Sequence, residues 1–248
     1  LSAIGIPVAC VLHGYVGFMF GSVKANIYWS TPLMPIIFLF SAITSGVAMV
    51  TVLYQAMTKL SGRRIDAACV QSLCQWLALF AIITVTVEML EITSLAYERS
   101  EDWMVIGPLL TGKLGFSFIV VQMVFGSLIP IILLAVIVLM RPFLTDPLRN
   151  TIGLLASLIL LIQVFAMRWN VVIGGQLFSK SMRGFRAGYV PELFEKEGVA
   201  MALLIFVLPF VMIAIIHRIL PLHDIESTPA ASGSAIAAGA PLAKPQHG

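Results

Sequence analysis

Six long apolar stretches fill most of the chain, and they constrain its fold more than any other feature. A helix needs about 20 mostly apolar residues to cross the hydrocarbon core of a bilayer. Hydrophobic residues make up 59% of the chain and charged residues 11%, which excludes a soluble globular domain. A transmembrane barrel would show alternating segments of about 10 residues, unlike these long, uniformly apolar runs. The sequence therefore predicts an all-α polytopic transmembrane bundle with six spans, at about 1–21, 31–57, 67–95, 114–140, 151–175 and 199–219.

The two ends of the chain carry their own expectations. The sequence starts with Leu1 inside a span and lacks the basic start and cleavage site of a signal peptide. We therefore expect further helices upstream. Residues 223–248, after the bundle of residues 1–222, are mainly Ala, Gly, Pro and Ser. Such a composition cannot bury a core, so we predict a disordered C-terminal tail. We expect any redox or hydrolytic centre to lie in a partner or in the upstream region.

The loops predict an orientation. Loops 58–66 and 141–150 are short and dense in Lys and Arg, whereas loops 22–30, 97–113 and 176–198 are longer on average and include acidic runs. Lys and Arg are split evenly between the two sides, but the positive-inside rule gives more weight to short loops. We therefore predict that the short loops and the C-terminus are cytoplasmic and that the longer loops lie outside.

A few polar side chains within four of the spans predict a site. At about 1.5 Å of rise per residue, their positions fall in the outer leaflet, and the inner half is nearly featureless. Ionisable residues inside a membrane are costly and are candidate functional residues. The cluster suits a ligand with an apolar body and a polar head that exchanges protons, such as a quinone. Its members are His13, Glu88, Glu91, Gln122, Arg168 and Asn170.

A histidine and a carboxylate can hydrogen-bond the two ends of a quinol head and accept its protons. Glu88 and Glu91 would also continue a proton path. Other interpretations remain open, because His13 alone could be a hydrogen-bonded core residue. Glu88 and Glu91 share a helix face and could instead form an ion pair with Arg168. We expect Gln122 to make a hydrogen bond between helices.

Bound metal centres are not expected in this chain. No other histidine lies at the depth of His13, which argues against a bis-histidine haem. The three cysteines, Cys10, Cys69 and Cys74, lack the spacing of a metal site or disulfide.

Arg168 and Asn170 are two residues apart, so on a regular helix their side chains point in nearly opposite directions. One of the two is therefore expected to face away from the cluster.

Two runs of the sequence carry a recognisable pattern. The first, residues 5–50, has His13, Lys24, Trp29, Pro32, Leu33, Pro35 and the small residues 41–46, and the second is residues 167–185. The first run resembles the NrfD/PsrC/HybB family of membrane anchor subunits. The second is similar to the DsrP branch of that family, which belongs to DsrMKJOP complexes of sulfur-metabolising prokaryotes, with the Hmc and Qrc anchors as the nearest competitors. The resemblance covers about residues 1–222.

The resemblance implies eight to ten helices in a prokaryotic inner (cytoplasmic) membrane. It also implies a site near the periplasmic face for menaquinone or ubiquinone, with no haem or iron–sulfur cluster in this chain. Electrons would pass between the quinone and a periplasmic iron–sulfur protein, one of several subunits of an oxidoreductase complex. His13 matches the family histidine near the quinone pocket, whereas Arg168 and Asn170 belong to the second run.

The loop at 178–189 carries Lys180, Arg183 and Arg186. It is either a solvated basic loop or a docking patch for an acidic face of the iron–sulfur subunit. An outside-facing loop gives no reason to expect nucleic acid as a partner.

Two rival functions remain for the protein, a proton or solute transporter and a purely structural anchor. The lack of a clear internal repeat and the featureless inner half argue against the transporter.

Overall fold

The computed structural model describes residues 2–98, 101–178, 185, 193–194 and 198–219. These residues are mostly helical, and their only extended pairing is an isolated bridge between Phe178 and Phe185. Six of the described helices are long and apolar enough to span a membrane, which confirms the predicted all-α bundle. They are Ile4–Gly21, Met34–Leu60, Ala67–Tyr97, Phe116–Leu139, Asp146–Gln176 and Val199–Ile216.

The chain divides into two compact units, Leu1–Tyr189 and Val190–Gly248. The second unit contains one described helix, which is apolar from Val199 to Ile216. The predicted tail at 223–248 and the candidate docking residues Lys180, Arg183 and Arg186 lie outside the described residues.

The described part of the chain forms ten helical elements. They are α1 Ser2–Gly21, α2 Met34–Leu60, α3 Ala67–Glu98, α4 Glu101–Pro108, π1 Leu109–Lys113, π2 Phe116–Leu128, α5 Ile129–Leu139, a 3-10 turn Arg141–Phe143, α6 Asp146–Gln176 and α7 Val199–Ile219.

The first unit is organised around α6, which packs against α2, α3, α5 and π2. The core between α3, α5 and α6 follows from the helical period. Val70, Cys74, Leu77 and Ala81 recur every three or four residues on α3, and all four are buried. Leu134 and Ile137 of α5 and Ala156 and Leu160 of α6 complete this core. Cys74 is thus a small apolar core residue.

Glycines set the approach of α1 to α2. A Cβ atom on Gly17 would lie 2.6 Å from Cα of Pro35, and one on Gly21 would lie 2.9 Å from the carbonyl oxygen of Thr31. Only glycine permits this contact, as expected of two glycines four residues apart in a membrane helix.

The end of α2 has a glycine for a different reason. Gly62 has a φ of 65°, in the left-handed region that glycine adopts without strain. Its N–H donates to the carbonyl of Lys59, and the N–H of Arg63 donates to that of Thr58. These two bonds form a Schellman motif, which ends the helix and begins the loop to α3.

The fourth span differs from the single regular helix that the sequence predicts. It begins as π2, a π-helix whose characteristic hydrogen bonds reach five residues back, and it continues as α5. Pro130 lies at the start of α5 and has no N–H to donate to the preceding turn. A Cβ atom on Gly126 would lie 2.6 Å from Cβ of Gln163, so this glycine lets π2 lie close against α6.

Candidate functional site

A small pocket lies between α3, π2 and α6, beside the loop that joins α1 to α2. Its wall is mostly aliphatic and aromatic, with Ile37, Ile92 and Phe118 among the lining residues. The enclosed free space is about 50 Å³. The polar lining groups come from the residues Tyr28, Glu88, Glu91, Trp103, Gln122 and Asn170.

Glu88 on α3 is the centre of a hydrogen-bonded network. Its side chain is 4% exposed. The Nε2 of Gln122, on π2, donates to Oε2 of Glu88 at 3.1 Å. The Nε2 of Gln163, on α6, lies 3.4 Å from both carboxylate oxygens. Because a buried carboxyl group needs hydrogen-bond partners, Glu88 ties three elements together.

The network continues from Gln122 towards the outer part of π2. Oε1 of Gln122 accepts from Nδ2 of Asn170 at 2.7 Å. Oδ1 of Asn170 accepts from the hydroxyl of Ser117 at 2.7 Å. The donors therefore point in sequence from Ser117 through Asn170 and Gln122 to Glu88. Bonds aligned in this way polarise and strengthen one another, so the four side chains form one connected network.

Glu91 lies one helical turn from Glu88 and also lines the pocket. Thr31, from the loop after α1, lies close to Glu91. Tyr28 from the same loop reaches the pocket. Burial raises the pKa of Tyr28 far above its usual range, and the nearby carboxylates of Glu91 and Glu88 raise it further. The phenol therefore keeps its proton. Tyr28 can therefore act as a hydrogen-bond donor beside two carboxyl groups.

Side-chain hydrogen bonds to α6 hold this loop in place. The Nδ2 of Asn26 donates to the carbonyl of Gly175 at 2.9 Å. The Nε1 of Trp29 donates to the carbonyl of Val171 at 2.7 Å, and the Trp29 ring lies edge-on to Phe20 at a centroid distance of 5.1 Å. The anchored segment includes Tyr28, so these bonds fix one wall of the pocket.

Two of the candidate site residues, His13 and Arg168, do not line the pocket. Nδ1 of His13 is 2.9 Å from the carbonyl oxygen of Ala9 on its own helix. The guanidinium of Arg168 lies 5.4 Å from the centroid of the Phe38 ring, and its Nη2 is 3.4 Å from the Ser41 hydroxyl. Glu88, Glu91 and Asn170 are the predicted quinone residues that the fold brings together.

The alternative ion pair between Arg168 and the carboxylates is not formed. Among the described residues, the salt bridge is the one between Arg149 and Asp146, at the start of α6. Glu88 bonds to side-chain amides. Gln122 bonds to both α3 and α6, so its predicted role between helices is confirmed.

The expectation of a featureless inner half is wrong. The hydroxyls of Thr44 and Thr84 are 2.8 Å apart in the middle of α2 and α3. Closer to the α2–α3 loop, Nε2 of Gln71 donates to the carbonyl of Ile137, and Gln55 is also buried. These groups are uncharged, so a search for ionisable residues does not find them.

Sequence reasoning also missed members of the pocket itself. Gln163 and Ser117 complete the network, and Tyr28 and Trp103 line the pocket. Gln163 carries the same signal as Gln122, an amide within an apolar span. Tyr28 gave no such signal, because its position depends on how the loop folds back onto α6.

The structure of the described residues shows no group of three or more His, Cys, Asp or Glu side chains that could hold a metal ion. The described pocket thus offers carboxyl, amide, hydroxyl and phenol groups for contact with a ligand.

Membrane-spanning helices around a buried carboxyl–amide network define a polytopic helical membrane protein with an intramembrane polar site. Residues 1–180 match the family described as "Polysulphide reductase, NrfD". The chain is also 30% identical over 174 residues to a subunit of the selenate reductase of Mesobacillus selenatarsenatis. The chain therefore belongs to the NrfD family, as the resemblance predicted.

The alignment to this selenate reductase protein covers 70% of the chain and 38% of the relative, so the chain spans less than half of the relative's length. No solved structure matches the chain. Together with the six apolar helices, the two matches identify a multi-pass membrane protein from a family of reductase subunits.

Proposed function

We propose that the chain is the quinone-interacting membrane subunit of a respiratory or sulfur-metabolism redox complex. In this proposal it transfers electrons between menaquinone or ubiquinone and a periplasmic iron–sulfur partner, in a prokaryotic inner membrane. The observation that carries the proposal is the Glu88–Gln122–Asn170 network on the wall of an otherwise apolar pocket. The membership in the NrfD family and the similarity to a selenate reductase protein support a role in a reductase complex.

The lining residues suit both parts of a quinol. Its apolar body would pack against side chains such as Ile37, Ile92 and Phe118. A quinol supplies two electrons and two protons when it is oxidised. Glu88 and Glu91 are the groups that would accept those protons, and Tyr28 and Asn170 would orient the head by hydrogen bonds.

The size of the pocket adds a requirement. Its free space of about 50 Å³ holds a water molecule or two, whereas a cavity of about 150 Å³ is needed to hold a benzene ring. A quinone head therefore enters only if lining side chains move. Trp103, on the short helix α4, is partly exposed and lines the pocket, so its displacement would enlarge the space.

The remaining predicted residues keep their proposed roles. His13 and Arg168 are proposed quinone residues on the strength of the sequence runs that contain them. Lys180, Arg183 and Arg186 are proposed to dock an acidic face of the iron–sulfur subunit. The similarity of residues 167–185 to the DsrP branch supports a place in sulfur metabolism within this proposal.

Titration of a fluorescent quinol-site inhibitor into the full-length protein in detergent tests the proposal. We expect saturable binding to the wild type and at least tenfold weaker binding to Glu91→Gln and Asn170→Leu. Gln71→Leu is the matched control, because Gln71 is a buried amide outside the pocket. His13→Ala and Arg168→Ala in the same series test the two residues outside the pocket. No binding to the intact wild type, with or without its partner, would rule out the quinone site.

A proton transporter is a second candidate, because the buried polar groups Thr44, Thr84 and Gln55 extend into the inner half. Proton flux into vesicles by the purified protein, without quinone or a redox partner, would favour that class. A structural anchor would lose stability in pocket variants but no quinone-dependent activity.

A further inference from the structure

A second cavity, of about 660 Å³, lies at the other end of the bundle from the carboxylate pocket. It is formed by the last turns of α2, the α2–α3 loop and the first turns of α6. Three cationic side chains line it, those of Lys59, Arg63 and Arg64. This basic cavity is distinct from the pocket around Glu88, with which it shares no lining residue.

Among the residues that the structure describes, those lining the basic cavity carry more positive than negative charge. Asp146 is the one acidic residue that lines it, and Asp146 already forms an ion pair with Arg149. Lys59, Arg63 and Arg64 make no ion pair with any residue that the structure describes. The basic cavity therefore favours a negatively charged occupant.

Two further features of the basic cavity are hydrogen-bond donors without partners. Gln55 lines it and is 4% exposed, yet its Nε2 has no hydrogen-bond partner among the described residues. An unpaired buried amide is destabilising. The Nε2 atom lies against Gly153, so rotation of the amide would turn this donor towards an acceptor in the cavity. The second feature is the start of α6, where the N-cap residue Thr145 makes no side-chain capping bond. The free N–H groups at the start of this 31-residue helix attract anions. Pro147 in the first turn has no N–H, and the carboxylate of Asp146 there is paired with Arg149.

An apolar strip leads away from the basic cavity along α6. Leu154 lines the cavity, and Leu158 and Ile162 follow at intervals of four residues on the same helix face. Leu158 is 42% exposed and Ile162 is 46% exposed. A ligand with an anionic head and a long hydrocarbon chain would use both surfaces at once.

We propose that the basic cavity binds the phosphate headgroup of an anionic phospholipid from the adjacent leaflet, with an acyl chain lying along Leu154, Leu158 and Ile162. The phosphate accepts hydrogen bonds from Lys59, Arg63 and Arg64, and from Gln55 once its amide has turned towards the cavity. Basic pockets between membrane helices are suited to such headgroups. The bound lipid would brace the α2–α3 loop against α6 without entering the redox chemistry.

The test is native mass spectrometry of the delipidated full-length protein, titrated with phosphatidylglycerol or phosphatidylcholine of matched chain length. We expect saturable binding of one phosphatidylglycerol at least tenfold tighter than phosphatidylcholine. In the double variant Arg63→Gln/Arg64→Gln the affinity for phosphatidylglycerol should fall about 25-fold, since each cation near a membrane surface contributes about fivefold. Arg141→Gln is the matched control, because it removes a cation from a neighbouring turn that does not line the cavity.

Three outcomes would overturn the proposal. Equal loss in Arg141→Gln would show a diffuse charge effect, and equal affinity for phosphatidylcholine would show that the anionic head is not recognised. The third is full displacement of the lipid by inorganic phosphate at constant ionic strength, which would assign the site to a soluble anion. Gln55→Leu supplies a check that preserves charge, and it should weaken phosphatidylglycerol binding while the protein remains folded.

Discussion

Glu88 shows how a single residue can both stabilise a membrane fold and create a site. Transfer of a carboxyl group into an apolar interior is costly unless hydrogen-bond donors accompany it. The chain supplies such donors from two other elements, Gln122 on π2 and Gln163 on α6. The same arrangement leaves Glu88 on the wall of a pocket, where in the proposed function it accepts a proton from the quinol.

Two substitutions of Glu88 separate these roles. Glu88→Ala leaves the amides of Gln122 and Gln163 without their acceptor, which should destabilise the protein by about 2–4 kcal/mol. Glu88→Gln keeps an acceptor of similar shape and should cost less than about 1.5 kcal/mol, yet it cannot take up a proton. We expect near-normal thermal unfolding of Glu88→Gln in detergent and a loss of quinol-dependent electron transfer in the assembled complex. Normal electron transfer by a folded Glu88→Gln protein would contradict the proposed proton role.

At the scale of elements, π2 determines which side chains meet. Ser117, Gln122 and Gly126 all lie on π2, and all three face α6 or its network. In a regular α-helix the spacing of these residues would place them differently around the axis, because a π-helix bonds five residues back and not four. The close approach at Gly126 then brings Gln122 within reach of both Glu88 and Asn170.

Gly126→Ala tests this close approach. The new Cβ atom would lie 2.6 Å from Cβ of Gln163 and 2.8 Å from the carbonyl oxygen of Val121, so the helices must shift. Overpacking of this kind costs about 1–3 kcal/mol, and it should lower the midpoint of thermal unfolding and weaken inhibitor binding.

Gly46→Ala is the matched control for that variant. It lies in α2 with no atom within 4 Å of the new Cβ, and alanine favours a helix over glycine by about 1 kcal/mol. Its unfolding midpoint should be unchanged or higher. Equal destabilisation by the two substitutions would refute the close contact between π2 and α6.

At the scale of the whole molecule, orientation in the membrane decides which partner meets which end. The carboxylate pocket and the basic cavity lie towards opposite ends of the helices of the first unit. The density of Lys and Arg in the α2–α3 loop predicts that the basic cavity faces the cytoplasm. The pocket would then lie closer to the outside, where the proposed iron–sulfur partner docks.

Labelling of single cysteines tests the orientation. In a background with Cys10, Cys69 and Cys74 replaced by alanine, Val23→Cys and Ser61→Cys introduce exposed thiols on opposite sides. A membrane-impermeant maleimide added to intact spheroplasts should modify Val23→Cys and spare Ser61→Cys, and permeabilisation should expose both. The reverse pattern would show that the chain is inserted the other way round.

Much of this fold was predictable because a helix that crosses a bilayer needs a long run of apolar residues. Long apolar runs predicted the six helical spans. The spacing of Gly17 and Gly21, four residues apart, is typical of a close helix contact, and α1 makes such a contact with α2. The pocket was predictable in part, since Glu88, Glu91 and Asn170 are polar residues in apolar spans. His13 has the same property, yet it bonds to its own helix. Polarity inside a span shows that a side chain needs a partner, and it does not show where the partner lies.

The features of the fold that the sequence did not predict depend on contacts between segments far apart in the chain. Tyr28 reaches the pocket because Asn26 and Trp29 bond to backbone carbonyls near the end of α6. Backbone acceptors look the same at every residue, so no sequence pattern marks them. The change from π2 to α5 likewise depends on packing at Gly126, although Pro130 marks the place.

The π-helical turns also affect how related sequences should be compared. A π-turn closes over one more residue than an α-turn, so a relative can lose a residue between Phe116 and Leu128 while the flanking helices stay in register. Such a relative would show a one-residue gap in the middle of a membrane span, and that gap should be kept in the alignment. We expect that in a relative with this gap the side chain aligned with Gln122 no longer meets the one aligned with Glu88.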